Sequence, residues 1–111
     1  ETFMVDTKSV IHITDEAFDR VVAQGVTVVD FWAEWCMPCR MQGPIIEAVA
    51  KRLGDRATVG KLNTDENPVA PGRFGITGIP TLIFFRDGEE AQRLVGVQSE
   101  DVVVNTLESL L

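Results

Sequence analysis

The sequence has no long apolar run, few cysteines and little positive charge. Its longest apolar runs, residues 27–32 and 81–85, are far shorter than the ~20 residues that a membrane-spanning helix needs. Two cysteines in 111 residues are too few for the bridges that replace a core in small secreted proteins. With 10 Lys and Arg against 17 Asp and Glu, the formal net charge of −7 repels nucleic-acid phosphates. We therefore expect no membrane segment and no nucleic-acid partner.

The amino end also lacks a basic segment followed by an apolar one, which a signal peptide would show. The first residue is Glu1 rather than methionine, so either a leader has been removed or residues 1–3 precede a native start at Met4. A hydrophobic fraction of 45% and a charged fraction of 24% are typical of a globular protein. Together with the length, they predict a single domain over residues 1–111, with residues 1–8 as a loosely ordered start.

Hydrophobic periodicity predicts the order β-α-β-α-β-(α)-β-β-α. Residues 26–32 are almost all β-branched or aromatic, as expected of a central strand buried on both faces, and Asp30 is the exception. An amphipathic helix is predicted from near Cys36 to near Gly54. The other predicted elements are strand 10–13, a helix from Thr14-Asp15 to Gly25, strand 57–63, a short helix within 67–74, strands 81–85 and 89–97 around an Asp87-Gly88 turn, and a helix over 102–111. This order indicates an α/β fold whose mixed sheet has parallel crossovers first and an antiparallel hairpin last.

The cysteines are separated by two residues at the predicted start of the long helix. At that spacing two thiols can form a disulfide, and the amino end of a helix stabilises a thiolate on the first of them. Such a pair exchanges two electrons with a partner's disulfide through a mixed disulfide. The pattern therefore favours redox chemistry, with Cys36 as the nucleophile and Cys39 as the residue that resolves the intermediate.

Two structural interpretations compete with redox chemistry. A structural zinc site requires four ligands, and the chain offers Cys36, Cys39 and His12, the last on a different predicted strand. A purely structural disulfide would close a loop of two residues, which restrains the unfolded chain very little. The position between a strand and a helix favours the redox interpretation over both.

The segment Phe31-Trp32-Ala33-Glu34-Trp35-Cys36-Met37-Pro38-Cys39-Arg40 closely resembles the active-site segment of thioredoxins. The resemblance extends over nearly the whole chain. It includes Asp30, the segment 61–63 with Asp65, Asn67-Pro68, the segment 78–81, and Gly96, all at thioredoxin-like spacing. It implies a thioredoxin fold, a central mixed five-stranded sheet flanked by about four helices.

The resemblance also implies roles for residues outside the pair. Asp30 is similar to the buried aspartate that takes a proton from the second cysteine, and Lys61 to the lysine paired with it. Pro80 matches the cis-proline beside the cysteines, which leaves the Ile79 backbone free to pair with an extended substrate segment. The implied substrate-binding residues, which we call the docking platform, are uncharged: Trp35, Met37, Pro38, Gly78, Ile79, Pro80 and Gly96.

The dipeptide between the cysteines departs from the family pattern. Thioredoxins usually carry Gly-Pro there, and this chain carries Met37-Pro38. These two positions tune the reduction potential, since they change how well the Cys36 thiolate is stabilised. Met37 adds a flexible apolar side chain that can contact partners, although a tolerated surface change is the simpler interpretation. Whether the pair normally reduces or oxidises its partners is therefore left open.

The resemblance implies a general protein-disulfide reductant and electron carrier. Its substrates are disulfide-containing proteins, and a thioredoxin reductase is the electron donor, because the chain has no nucleotide or flavin fingerprint and needs no cofactor or metal. We expect a cytoplasmic monomer. An oxidase or isomerase would use the same residues with a less reducing pair, and a binding module would use the fold as a rigid subunit without redox chemistry.

Overall fold

A five-stranded mixed sheet forms the centre of the protein. The structure, a computed structural model, describes residues 10–111, and the expectations about residues 1–8 lie outside this range. The sheet contains strands β1 (Ile11–His12), β2 (Val26–Trp32), β3 (Thr58–Asn63), β4 (Thr81–Arg86) and β5 (Glu89–Val95), which lie in the order β1-β3-β2-β4-β5. Strands β1 and β2 run parallel to β3, whereas β4 is antiparallel to both β2 and β5. The predicted fold class is therefore confirmed, including the parallel first half and the antiparallel hairpin.

The described elements follow the predicted order, with four α-helices beside the sheet. Their bounds are β1 Ile11–His12, α1 Phe18–Val22, β2 Val26–Trp32, α2 Met37–Leu53, a 3-10 turn Gly54–Arg56, β3 Thr58–Asn63, α3 Val69–Arg73, β4 Thr81–Arg86, β5 Glu89–Val95 and α4 Glu100–Leu110. Strand β5 ends two residues before the prediction, since the chain turns at Gly96, whose φ is +89°. A positive φ favours glycine.

Two apolar layers cover the faces of the sheet. Val28 belongs to the layer that contains residues of α2 and α4, whereas Val29 and Phe31 belong to the layer with α1 and α3. Because successive strand residues point to opposite faces, Asp30 points to the same face as Val28, towards the helix that carries the cysteines. The same alternation places Lys61 of β3 on that face, since Val59 lies in the α2 layer.

Asp15 differs from its predicted role. The prediction that the first helix begins at Thr14-Asp15 is wrong in its start, because α1 begins at Phe18. Thr14 does bind the turn before α1, since its hydroxyl oxygen accepts a hydrogen bond from the Ala17 amide at 3.3 Å. The carboxylate of Asp15 instead accepts hydrogen bonds from the backbone amides of Val69 (2.9 Å) and Ala70 (2.8 Å). An acidic side chain satisfies free amides at a helix start, and here it does so for α3, which tertiary contact brings next to it.

We expect Asp15→Ala to destabilise the protein by about 1–2 kcal/mol, the usual cost of losing a helix cap. Urea unfolding followed by far-ultraviolet circular dichroism will measure it. Glu16→Ala is the matched control, because Glu16 is the neighbouring acid and is exposed, and most such surface changes cost less than about 0.5 kcal/mol. Equal destabilisation by the two variants would show that the cap contributes nothing.

Candidate active site

Three segments of the chain meet at one edge of the sheet. Strand β2 ends at Trp32, and the chain then enters α2. The antiparallel register places Thr81, the first residue of β4, opposite both Phe31 of β2 and Val95 of β5. The end of β2, the start of β4 and the end of β5 therefore lie side by side, and the cysteines follow the first of them.

Cys36 and Cys39 form a disulfide with a Cα–Cα distance of 5.2 Å. Cys36 is the N-cap of α2, and its Sγ accepts a hydrogen bond from the backbone amide of Cys39 at 3.2 Å. Both residues are nearly buried, with exposed fractions of 4% and 2%. The amide and the helix dipole both favour negative charge at the Cys36 sulfur once the disulfide is reduced.

The loop before β4 covers the other side of the disulfide. The bond between Ile79 and Pro80 is cis, as the resemblance implied. The carbonyl oxygen of Ile79 lies 3.7 Å from the Cys36 Sγ. Trp32 and Ile79 are both half-buried and pack against the cluster of Ala33, Cys36 and Cys39. The disulfide thus lies between the start of α2 and this loop.

Asp30 is a buried carboxyl group next to Lys61 in the sheet. It is 1% exposed, and neither of its oxygens has a hydrogen-bond partner. Burial raises the pKa of Asp30 from 3.8 to about 7, and the charge of Lys61, its neighbour in the β2–β3 register, opposes that rise. The Lys61 Nζ lies 4.1 Å from the ring centroid of Trp32, a cation–π contact. A carboxyl group with such a pKa can exchange a proton near neutral pH.

The surface around the disulfide is apolar and exposed. Trp35 and Met37 are 71% and 66% exposed. The Trp35 indole nitrogen donates a hydrogen bond to Asp65 at 2.9 Å, which holds the exposed ring in one orientation. A cavity of about 330 Å³ lies between Trp35 and Ile79. It is lined also by Thr64, Pro71, Ile76, Thr77 and Gly78.

The comparisons with known proteins agree with this geometry. The family model that matches is described as thioredoxin and covers residues 9–109. The chain belongs to the thioredoxin family. A thioredoxin of Rhodospirillum rubrum is 49% identical over 86 residues, 76% of this chain and 83% of the relative. One of Staphylococcus saprophyticus is 40% identical over 103 residues, 93% and 99% of the two chains.

A solved structure is similar over nearly the whole fold. It is a mutant thioredoxin from Halobacterium salinarum NRC-1, with a TM-score of 0.86 and 33% sequence identity over 97% of this chain and 96% of that one. The family and the predicted fold are thereby confirmed. The chain is a dithiol–disulfide oxidoreductase with an intact cysteine pair.

The zinc interpretation receives no support from the described residues. His12 lies on the edge strand β1, paired with Lys61. Between residues 10 and 111, no three His, Cys, Asp or Glu side chains are grouped to hold a metal ion. In the same range, no helix is both long and apolar enough to cross a membrane.

Sequence reasoning missed two residues at this edge. Asp65 was noted only for its family-like spacing, yet it holds the Trp35 ring. Gln42 was not singled out, although it is completely buried in α2. The sequence carries a signal for Gln42, a polar residue at a core position, because it shares the helical spacing of the buried residues Cys39, Ile46 and Val49.

Proposed function

We propose that the chain reduces protein disulfides, with Cys36 as the attacking and Cys39 as the resolving residue. The observation that carries this proposal is the position of the Cys36 sulfur, which caps α2 and lies 3.7 Å from the Ile79 carbonyl oxygen. The cap favours a thiolate at Cys36 in the dithiol form. Cys39 lies further along the helix and is the residue that can reach the Cys36 sulfur without movement of the fold.

The exchange proceeds in two steps that transfer two electrons to the substrate. The Cys36 thiolate first attacks one sulfur of the substrate's disulfide, which forms a mixed disulfide and releases the other substrate sulfur as a thiolate. The Cys39 sulfur, once deprotonated, then attacks the Cys36 sulfur. This second step releases the remaining substrate thiolate and leaves the Cys36–Cys39 disulfide that the structure shows.

Asp30 is proposed to accept the proton of Cys39 before the second step. Three observations support this role: its side chain points to the α2 face of the sheet, its oxygens have no hydrogen-bond partner, and its pKa of about 7 lies close to neutral pH. A base works best when its pKa is close to the operating pH. Lys61 is its proposed charged partner, since it opposes the rise of that pKa.

The docking platform is proposed to bind an extended segment of the substrate. Met37 and Pro38 lie between the two cysteines, and Trp35 lines one cavity with Gly78 and Ile79. Pro80 and Gly96 are joined by a backbone hydrogen bond where β4 begins and β5 ends. A platform without charge suits many sequences, because apolar contacts do not require a particular partner charge. Backbone groups beside Ile79 would pair with the substrate chain as in β-augmentation.

A thioredoxin reductase is proposed as the electron donor, in a cytoplasmic and monomeric protein. The sequence has no nucleotide or flavin fingerprint of its own, which favours another protein as the source of reducing equivalents. Family membership supports this donor.

An insulin reduction assay tests the proposed function. The chain is expected to accelerate insulin reduction with dithiothreitol, and also with NADPH and a thioredoxin reductase. Its reduction potential is expected to lie closer to about −270 mV than to the about −120 mV of a strong oxidant. Failure to accelerate the reaction with either donor would refute the proposal, and a potential at the oxidising end would favour an oxidase instead.

A further inference from the structure

Gln42 is a polar side chain in the middle of a buried helix face. Its exposed fraction is 0%, and it follows Cys39 by one turn of α2. A buried amide without partners would be costly, because it loses its hydrogen bonds to water. Its partners therefore indicate why the position is polar.

Both ends of the Gln42 amide bind the backbone of one residue. The Oε1 accepts a hydrogen bond from the Gln98 backbone amide at 2.7 Å, and the Nε2 donates one to the Gln98 carbonyl oxygen at 3.0 Å. Residues 96–98, which we call the platform loop, leave β5 and include Gly96 of the docking platform. Among the hydrogen bonds of residues 10–111, these two are the ones that connect α2 to the platform loop.

The platform loop is in turn connected to the disulfide from the other side. The Gln98 side chain donates to the carbonyl oxygens of Val95 (3.2 Å) and Gly96 (3.3 Å). The Gly96 amide donates to the Pro80 carbonyl oxygen at 2.8 Å. The residue before Pro80, Ile79, places its carbonyl oxygen 3.7 Å from the Cys36 sulfur. Contacts thus form a closed ring from the cysteine pair along α2 to Gln42, through the platform loop, and back to the pair.

We propose that Gln42 is a positioning residue for protein substrates: its two hydrogen bonds hold the platform loop at a fixed distance from the Cys36 sulfur. This inference rests on the proposed docking platform. Gln42 has no exposed surface, so it acts through Gly96 and Val97 rather than by contact with the substrate. Fixing the loop in advance lowers the entropy lost on docking, which benefits a large substrate that spans the loop and not a small disulfide that meets only the sulfurs.

The test compares Gln42→Met with the wild-type chain on two substrates. Methionine has a similar size and suits buried sites, but it offers neither hydrogen bond. We expect KM for insulin to rise at least about fivefold, since two hydrogen bonds of ordinary strength are lost, with kcat within about twofold. The rate with 5,5′-dithiobis(2-nitrobenzoic acid), a small disulfide, and the reduction potential should not change. Hydrogen exchange at the Gln98 amide should accelerate.

Gln24→Met is the matched control. It makes the same chemical change at an exposed position shortly before the start of β2, at the opposite end of that strand from the cysteines. Its KM for insulin should equal that of the wild-type chain. Gln42→Leu provides a second variant without the hydrogen bonds if methionine prevents folding, and circular dichroism at the assay temperature verifies that each variant is folded.

The outcomes separate this inference from the proposed function. An inactive wild-type chain would refute the proposed function itself. A wild-type chain that reduces insulin while the folded Gln42 variant has the same KM would overturn the positioning role alone. Equal losses of activity on insulin and on the small disulfide would also overturn the positioning role, because they would indicate a general disturbance of the cysteine pair.

Discussion

Serine in place of Cys36 will reduce insulin reduction by at least about 100-fold, to the background rate of dithiothreitol alone. A serine hydroxyl is not ionised near neutral pH, so the helix N-cap position has no anion to stabilise there. Cys39 lies inside α2 and does not cap it, so its sulfur lacks the helix-end stabilisation that favours a thiolate at Cys36. The rate of insulin precipitation measures the loss.

Serine in place of Cys39 is the control, and it is expected to trap a covalent complex with the substrate that Cys36→Ser cannot form. Cys36 still attacks, but the resolving sulfur is missing, so the chain will accumulate as a mixed disulfide with its substrate. Non-reducing gel electrophoresis will show a covalent complex that dithiothreitol cleaves. A complex formed by Cys36→Ser instead would reverse the two proposed roles.

Alanine in place of Asp30 will stabilise the protein at alkaline pH. The folded-state pKa of about 7 lies above the ordinary 3.8, so between these values the unfolded chain releases a proton that the folded chain retains. The free energy of unfolding of the wild-type chain therefore falls as the pH rises from about 4 to about 7 and stays low above that range. At about 1.36 kcal/mol for each pH unit between the two pKa values, the loss amounts to about 4 kcal/mol.

Guanidinium unfolding at several pH values will measure the effect of Asp30→Ala. The free energy of unfolding of the variant, relative to that of the wild-type chain, should rise by about 4 kcal/mol between about pH 4 and about pH 8.5. A cavity left by the smaller side chain lowers its stability equally at both pH values, so the change with pH isolates the carboxyl group. Glu47→Ala, which removes an exposed carboxylate from α2, controls for the altered net charge.

A constant difference in the free energy of unfolding between the Asp30 variant and the wild-type chain over this range would contradict the raised pKa.

The same variant also tests the proposed proton acceptor. Without the carboxylate, Cys39 loses its proton more slowly, so release of the substrate from the mixed disulfide should be slower near neutral pH.

The regular elements were predictable because they depend on local sequence. The helical spacing of apolar residues along α2, and the β-branched run of β2, identified both elements almost to the residue. The short elements were harder to predict. Strand β1 spans only Ile11–His12, and α3 tolerates the pair Pro71-Gly72 inside Val69–Arg73. Propensity summed over so few residues is a poor guide, since tertiary contacts decide whether they form.

Individual side chains divide in the same way. The cysteine spacing and the exceptional acid in an apolar strand were visible in the sequence, because each is a departure from a local pattern. The partners of Asp15 and Gln42 were not, because they lie 54 to 56 residues away along the chain. No local pattern records which backbone amide a side chain will meet at that separation.

By itself, the sequence determined the order of strands and helices, the redox pair at the start of α2, and the family to which these belong. Only the tertiary structure decided the surroundings of that pair. It brought the ends of β2 and β5 beside the start of β4, and it closed the ring from Cys36 through Gln42 and Gly96 to Ile79. The physical reason is that periodicity and spacing act within a few residues, whereas strand register and buried hydrogen bonds join segments that are distant in the chain.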